Sequence, residues 1–444
     1  MTDKMLAIVG GGPKAAAICA KVACLRALYQ APITTVVFEK EELGAHWRGD
    51  AGYTDGVQLL CTPAERDLGF PYGGVFGTAV ASRMFADHSW AAHLVQAGDY
   101  GRWVSDGRRR PSHGLFADYV AGTIRQTAGD IHREDVTSLR REDGAWTVGF
   151  VNDDGQRDGF SGFDGVVITG SGPPLAVMGD GANSRRVYDG ASFWTFREEI
   201  RDIARRAEAD EADEDLVIIG AGGTAAAIAG WLVKAGVRKT IRIIGSQPTL
   251  YARADSAFEN RMFENIEVWR TLSFAKRREF CDRLTRGAVW QAVIEDLTRA
   301  DNVLYTPGTA TGVQLEDAGD SNGALVVTYD ISKDPTPPSK TAIPGPPVSA
   351  FVVIDARGFD GWWFRDWLVP SLRDRIGANP AGMEEGMAED LSLPLGRGAP
   401  NLHAPGHSRI VHPGYSSLMS LGDMADAILR PYVKAHLDAQ TRTR

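Results

Sequence analysis

The chain has 444 residues, 43% hydrophobic and 24% charged, the make-up of a globular protein long enough for two or three domains. Lys plus Arg number 48 against 57 Asp plus Glu, a net charge of −9 that argues against a nucleic-acid or polybasic membrane partner. No apolar stretch reaches the roughly 18 residues of a membrane span, Met1–Gly12 lacks a signal-peptide layout, and four cysteines are too few for a disulfide framework; a reducing cytoplasm is the expected setting.

Met5–Val9 is an uninterrupted apolar run, which predicts a buried strand of a parallel sheet. Three glycines follow, then the Ala-rich, helix-prone Lys14–Tyr29, then the β-branched and aromatic run Thr34–Glu39. This is a βαβ unit. Its turn, Gly10-Gly11-Gly12-Pro13-Lys14-Ala15, fits G-x-G-x-x-G/A. Glycines there let the backbone approach a pyrophosphate, and the helix N-terminus offers N–H groups and a favourable dipole. Glu39 ends the second strand, where a carboxylate can accept hydrogen bonds from a ribose; Lys40 follows it.

Gly165–Gly170 reads as a strand returning to this sheet. Glu208–Asp215, six acids in eight residues, reads as a solvated connection. The βαβ pattern then recurs: Leu216–Ile219, the turn Gly220-Ala221-Gly222-Gly223-Thr224-Ala225, a helix over Thr224–Ala235 and a strand over Thr240–Ile244. That strand runs into Gly245, Ser246 and Gln247, with no carboxylate to repel a 2′-phosphate. Lys239, Arg242 and Arg253 lie nearby, which favours NADPH; any of the three could make the contact, and Arg253 is the candidate named. Lys333–Val348 holds six prolines and predicts an exposed loop. Phe351–Gly358 reads as a second strand returning to the first sheet.

The expectation is an α/β fold with two Rossmann-like dinucleotide-binding domains, the second inserted in the first. Residues 1–190 would bind FAD, 191–350 NADPH, and 351–444 would return to the FAD domain. Two such folds in one chain suggest a flavoprotein fed hydride by a nicotinamide. Cys19 and Cys24 have the C-x4-C spacing of some disulfide reductases, but they lie on the helix beside the adenosine end of FAD and read as packing residues. The Baeyer–Villiger signature F-x-G-x-x-x-H-x-x-x-W is absent between the glycine motifs. His403 and His407 have a metal-pair spacing, yet Pro405 and Gly406 would break the helix that spacing needs, so no metal is expected. Trp362, Trp363, Phe364 and Trp367 read as packing, and Arg108-Arg109-Arg110 as a solvated turn.

Residues 43–72, LGAHWRGDAGYTDGVQLLCTPAERDLGFPY, together with GGGPKAAAICAKVACLRAL at 10–28, resemble the mycobactin-type lysine N-monooxygenases. These belong to the lysine and ornithine N-hydroxylases of siderophore biosynthesis. Asp255-Ser256-Ala257-Phe258-Glu259-Asn260 resembles that family's D-S-P-F-x-N segment. His412-Pro413-Gly414-Tyr415-Ser416-Ser417-Leu418 resembles its C-terminal segment. The resemblance spans nearly the whole chain. It implies an FAD- and NADPH-dependent monooxygenase that hydroxylates the terminal amine of an amino acid through a C4a-hydroperoxyflavin, with a small-molecule amine and O2 as partners and a homo-oligomeric state.

The family also implies roles. Trp47 and Gln58 would lie along the flavin, with Gly414, Ser416 and Leu418 covering its other side and Ser417 touching the substrate. Asn260 would hydrogen-bond the substrate's amino-acid end. Arg66 stands where the family has a lysine that holds the substrate carboxylate. A second substrate asparagine should fall near Thr285-Arg286, where none stands, so Thr285 is the candidate there. Ala257 replaces the family proline. L-lysine N6 is the first choice of substrate; ornithine, a diamine, another amino acid, and an NADPH oxidase with no hydroxylated product stay open. The residues alone leave Trp47 open as a core aromatic and Asn260 as a helix cap.

Overall fold

A computed structural model describes residues 3–49, 52–152, 154–175, 178–253, 256–286, 289–316, 324–331, 343–396 and 399–443. Asp255 and most of the proline-rich stretch, 332–342, lie outside the described residues.

The first sheet is parallel. Its strands lie in the order Leu402–His403, Gly165–Ile168, Lys4–Val9, Ile33–Phe38, Asp130–His132. Lys4–Val9 sits in the middle, as its apolar run requires, and Gly165–Ile168 joins it as expected. The helix that follows, Pro13–Tyr29, is buried over most of its length. Its alanines make that burial achievable: small side chains let it pass between the sheet and the helices His113–Thr127 and Leu421–Thr443. An antiparallel meander, Val136–Glu142, Ala145–Val151 and Arg157–Phe163, precedes the fourth strand in sequence.

The second sheet carries Val303–Pro307, Ile241–Gly245, Asp215–Ile219, Val348–Asp355, Leu325–Ile331 and Thr309–Leu315 in that order. Val187–Asp189 pairs with Val348–Asp355. This corrects one expectation. The run read as Phe351–Gly358 does not return to the first sheet. It lies beside the second glycine motif, with Val352 opposite Leu216 and Asp355 opposite Ile219. Its six buried residues in a row mark a central strand, but apolarity cannot say of which sheet. Apolar side chains cover both faces of this sheet, Leu216, Ile218 and Val352 on one and Val217, Ile219 and Val353 on the other.

The acidic connection also does more than face water. Asp215 Oδ2 accepts from Arg242 Nε at 2.6 Å, and Glu208 Oε1 accepts from the backbone N–H of Arg238 at 2.6 Å. Arg110 likewise stands over the Trp290 ring, 4.8 Å from its centroid, instead of in a solvated turn.

Three helices, Ala257–Arg261, Ile266–Thr271 and Phe274–Arg286, leave the second unit and pack on the C-terminal segment. Trp269 Nε1 donates to Ile410 O at 3.1 Å, Arg277 Nη1 to the same carbonyl at 3.4 Å, and Cys281 Sγ to Arg409 O at 3.2 Å. Ser420 Oγ donates to Phe263 O. A chain stretch numbered within the second domain therefore builds part of the wall around the first.

The helix of the first glycine motif is tied to the C-terminal helix by a buried ion pair. Lys21 Nζ lies 2.6 Å from Asp426 Oδ1, with both side chains under 5% exposed. Removing one partner strands a charge in a medium that cannot solvate it. Lys21→Met is expected to cost about 3–5 kcal/mol in chemical unfolding, and Lys21→Met with Asp426→Leu to recover most of it.

Candidate active site

The two glycine turns have nearly the same geometry. Gly10 has φ +103 and Gly220 φ +117, conformations L side chains rarely adopt. Side chains there would also collide: a Cβ on Gly10 would lie 2.5 Å from Thr169 Oγ1, and one on Gly220 2.6 Å from Ala356 O. Gly10 N donates to Phe38 O at 2.8 Å and Gly220 N to Ile244 O at 2.7 Å, which anchors each turn to its neighbouring strand. Gly12 and Gly222 are the N-caps of the following helices, and neither has a capping side chain. A Cβ on either would meet no heavy atom within 4 Å. Among the described residues no side chain caps either helix, so the N–H groups of its first turn are available to a ligand.

Side chains complete the first cradle. Glu39 Oε2 accepts from Gly11 N at 2.6 Å and Oε1 from Glu41 N at 3.0 Å. A carboxylate has about four lone-pair sites, so capacity for a ribose hydroxyl is left. Pro13 pre-sets the first helical φ, Lys14 and Ala15 complete the first turn, and Lys40 is exposed at the rim. Burial pulls the Lys14 ammonium down to about 8, and an anion beside it would reverse that.

In the second cradle Gly223 and Thr224 form the first turn of the helix Gly223–Lys234. Ligands of such folds bind beyond the carboxyl ends of the strands. Arg242 stands at the opposite, amino end of Ile241–Gly245, paired with Asp215, and Lys239 donates to Ala212 O before that strand begins. Arg253 lies beyond the carboxyl end, its guanidinium 5.8 Å from the Phe263 ring centroid. Position along the strand separates the three cations.

A third set of residues meets at the turn 412–420. Gly414 N donates to His412 Nδ1 at 3.2 Å, Ser417 Oγ donates to Gly414 O at 3.3 Å, and Met419 N donates to Ser417 Oγ at 3.3 Å. Leu418 packs against the first core, and Ser416 is half-buried. Arg66, buried in the loop after Cys61, donates from Nη1 to Met419 Sδ at 2.9 Å and leans on Phe70, 5.3 Å from the ring centroid. From the other side, Ser420 holds Phe263 O, and Phe263 N donates to Asn260 O at 3.1 Å. Arg66 and Asn260 are thereby attached to the same turn. Ser256, not Asn260, is the cap of Ala257–Arg261: its Oγ accepts from Glu259 N. Asn260 is half-buried inside that helix. Thr285 lies in Phe274–Arg286, but its side chain is outside the described residues.

Trp47, on the short helix Ala45–Arg48, meets His113 edge-on at 4.9 Å and Phe116 at 5.9 Å. His113 Nδ1 bonds Thr54 Oγ1 at 2.7 Å, and its backbone N–H donates to Gln58 O at 2.8 Å. Gln58 Nε2 reaches the second unit and donates to Ala227 O at 3.1 Å, so it bridges the two units. Burial holds His113 down at about 4, and burial together with Arg270 holds His412 at about 3, so both rings are neutral at pH 7.

The remaining candidates have structural partners. Burial pushes the Cys19 thiol up to about 12 and the Cys24 thiol to about 11, so neither is a thiolate at neutral pH. His403 spends both ring nitrogens on Asp390 O and Tyr432 Oη, and His407 on Glu384 and Gly361 O. Trp362 stacks on His407 at 3.7 Å. Among the described residues no cluster of three or more His, Cys, Asp or Glu could hold a metal ion, and no helix is long and apolar enough to cross a membrane.

The profile of the L-lysine 6-monooxygenase/L-ornithine 5-monooxygenase family matches residues 85–306, half of the chain. The chain belongs to this family. It is an N-hydroxylating monooxygenase. It is 29% identical over 436 residues to the L-lysine N6-monooxygenase MbtG of Mycobacterium sp. (strain MCS), covering 96% of this chain and 94% of that protein. The MbtG of Mycobacterium tuberculosis (strain H37Rv) is 27% identical over 451 residues, with the same coverage. Among solved structures, the lysine monooxygenase NbtG of Nocardia farcinica superposes with a TM-score of 0.75 at 26% identity, over 96% of this chain and 99% of that one. The ornithine N-hydroxylase KtzI of Kutzneria sp. 744 shares the fold, with a TM-score of 0.70 at 16% identity over 98% and 100%.

Sequence reasoning passed over Met419, Phe263, Asp67 and Tyr72, none of which stands out by residue type or spacing. The open glycine cradles give a direct test. Gly12 and Gly222 both have extended backbone, which valine adopts without strain. Gly12→Val is expected to abolish FAD retention and Gly222→Val to raise the NADPH Kd at least about tenfold, with unfolding of the FAD-free protein little changed; absorbance and fluorescence titrations read both.

Proposed function

We propose that the enzyme hydroxylates the terminal amine of a free amino acid, L-lysine at N6 before ornithine or a diamine, using FAD in the first cradle and NADPH in the second, for siderophore or other natural-product assembly. The observation that carries this reading is the meeting of Arg66 and the Asn260 segment at one turn, 412–420. FAD held in the first cradle and reduced by NADPH would activate O2, one oxygen atom going to the amine and the other leaving as water.

The chain's own residues do the rest. Arg66 pairs with the substrate's carboxylate through its planar fork and so sets how far the side chain reaches. Asn260 donates to or accepts from the same amino-acid end. Ser416, Ser417 and Leu418 close the site and keep water out. The amine must present a free lone pair, yet a lysine side chain in water has a pKa of about 10.4. Phe70, Met419 and Leu418 around Arg66 and the 412–420 turn offer little solvation, and the His412 ring, held down at about 3, adds no competing charge. Desolvation lowers the amine's pKa and makes the lone pair available. One methylene is worth only about 1–3 kcal/mol in an apolar pocket, so carboxylate-to-amine reach is the stronger discriminator between lysine and ornithine.

FAD-loaded enzyme with NADPH and O2 is expected to form a hydroxylamine from lysine in preference to ornithine, diamines and other amino acids. Arg66→Ala is expected to raise KM for lysine about 10- to 100-fold, the worth of a charged hydrogen bond, with a smaller change in NADPH-driven flavin reduction. NADPH oxidation that yields only hydrogen peroxide with every amine would mark an oxidase and overturn the reading.

A further inference from the structure

Arg66 lies on a stretch with no regular secondary structure, 60–77, so hydrogen bonds must hold it in place. On one side Phe70 O accepts from Gly422 N at 2.8 Å, at the start of the C-terminal helix. On the other side Leu68 N donates to Tyr119 Oη at 3.5 Å, and one carboxylate makes three further bonds. Asp67 is 2% exposed. Its Oδ1 accepts from Tyr72 Oη at 2.5 Å and from Gly69 N at 3.1 Å, and its Oδ2 accepts from Trp90 N at 2.7 Å, the first N–H of the helix Trp90–Ala97. One side chain thus ties both ends of the 67–72 turn to a neighbouring helix. Phe70, against which the Arg66 guanidinium leans, is inside that turn. A shift of the turn therefore moves both the backbone and the support of Arg66.

We propose that Asp67 is a positioning residue for substrate binding: its ionised carboxylate, held by Tyr72, Gly69 and Trp90, fixes the loop that presents Arg66 to the carboxylate of the amine substrate. This rests on the reading that Arg66 grips that carboxylate. The anion suits this geometry, because Gly69 N and Trp90 N can only donate and the ionised oxygens accept from both as well as from Tyr72.

Burial raises Asp67 to about 6, while the hydrogen bonds from Tyr72, Trp90, Gly69 and Phe70 hold it down against that trend. The titratable groups facing it are Tyr72 on its own loop and Tyr119 from His113–Thr127. Both are pushed far above their usual range and stay neutral where Asp67 titrates, and Arg66 beside it stays charged. The sign follows. Above about pH 6 the carboxylate is ionised and the loop is pinned. As pH falls through that value it takes up a proton, a donor loses its acceptor, and substrate affinity drops. Tyr72→Phe deletes a donor to the anion, so the carboxyl group titrates at higher pH.

The test is the pH dependence of KM for lysine in the FAD-loaded enzyme and its Tyr72→Phe, Asp67→Asn and Arg66→Ala variants. Titration of the substrate's own amine is common to all four and cancels in the comparison. Tyr72→Phe is expected to move the acid limb of 1/KM to higher pH, with KM about tenfold raised near pH 6, little changed near pH 8, and kcat nearly unaltered. Asp67→Asn is expected to raise KM about tenfold across the range and to erase that limb. A Tyr72→Phe profile that superposes on the parent's, while Arg66→Ala raises KM, overturns the role of Asp67 and leaves Arg66 in place. An unchanged KM in Arg66→Ala overturns the carboxylate reading itself. Tyr72→Phe removes one hydroxyl and keeps the ring of a half-buried side chain, so it keeps the test open if Asp67→Asn does not fold.

Discussion

A helix that begins on glycine, with no side chain to cap it, leaves its first N–H groups to be satisfied by something other than protein. The chain does this twice, at Gly12 and at Gly222. Each time the turn is forced by a left-handed glycine two residues earlier and anchored by a backbone hydrogen bond to the neighbouring strand. The rest of the structure is arranged around these two openings. The alanines of Pro13–Tyr29 allow the first opening to sit at the end of a helix buried over most of its length, and the Lys21–Asp426 pair fixes that helix against the C-terminal one. The C-terminal helix starts where the 412–420 turn ends. The distance from the first cradle to the 412–420 turn is therefore set by one packed helix pair.

The substrate end is built differently. No single element carries it. Arg66 comes from a loop held by Asp67 and Gly422, Asn260 from a helical excursion of the second unit, and the turn from the C-terminal segment. The excursion stays on the first unit through Trp269, Arg277 and Cys281, all donating to two adjacent carbonyls, Arg409 and Ile410. Gln58 adds a bond in the other direction, to Ala227. Motion of the second unit relative to the first would be felt at Asn260 through this path.

Much of the fold could be read in the sequence, because a strand buried on both faces is a continuous apolar run and a phosphate turn needs glycines at set positions. Both βαβ units were legible for that reason. The strand Val348–Asp355 was placed in the wrong sheet, since apolarity reports depth and not neighbours. Among the three cations near the second cradle, position in the sequence already separates Arg242, at the start of its strand, from Arg253, which follows it. At the site, Arg66, Asn260 and 414–418 came from resemblance; no periodicity marks them. Asp67 and Tyr72 could not have been found that way, because a buried hydrogen-bonded carboxylate in a loop has no pattern of its own. The bland reading of Asn260 as a helix cap fails on geometry, because Ser256 holds that place.

The central claim is that Arg66 and the 412–420 turn read the carboxylate end of an amino-acid amine. Kinetics with lysine and with 1,5-diaminopentane, the same amine chain without a carboxylate, test it most directly when run on the parent enzyme and on Arg66→Ala. The account predicts that the substitution raises KM for lysine and leaves KM for the diamine nearly unchanged, which removes the parent's preference between them. An equal loss for both substrates would contradict it, and would assign Arg66 to the architecture of the site instead of to the substrate.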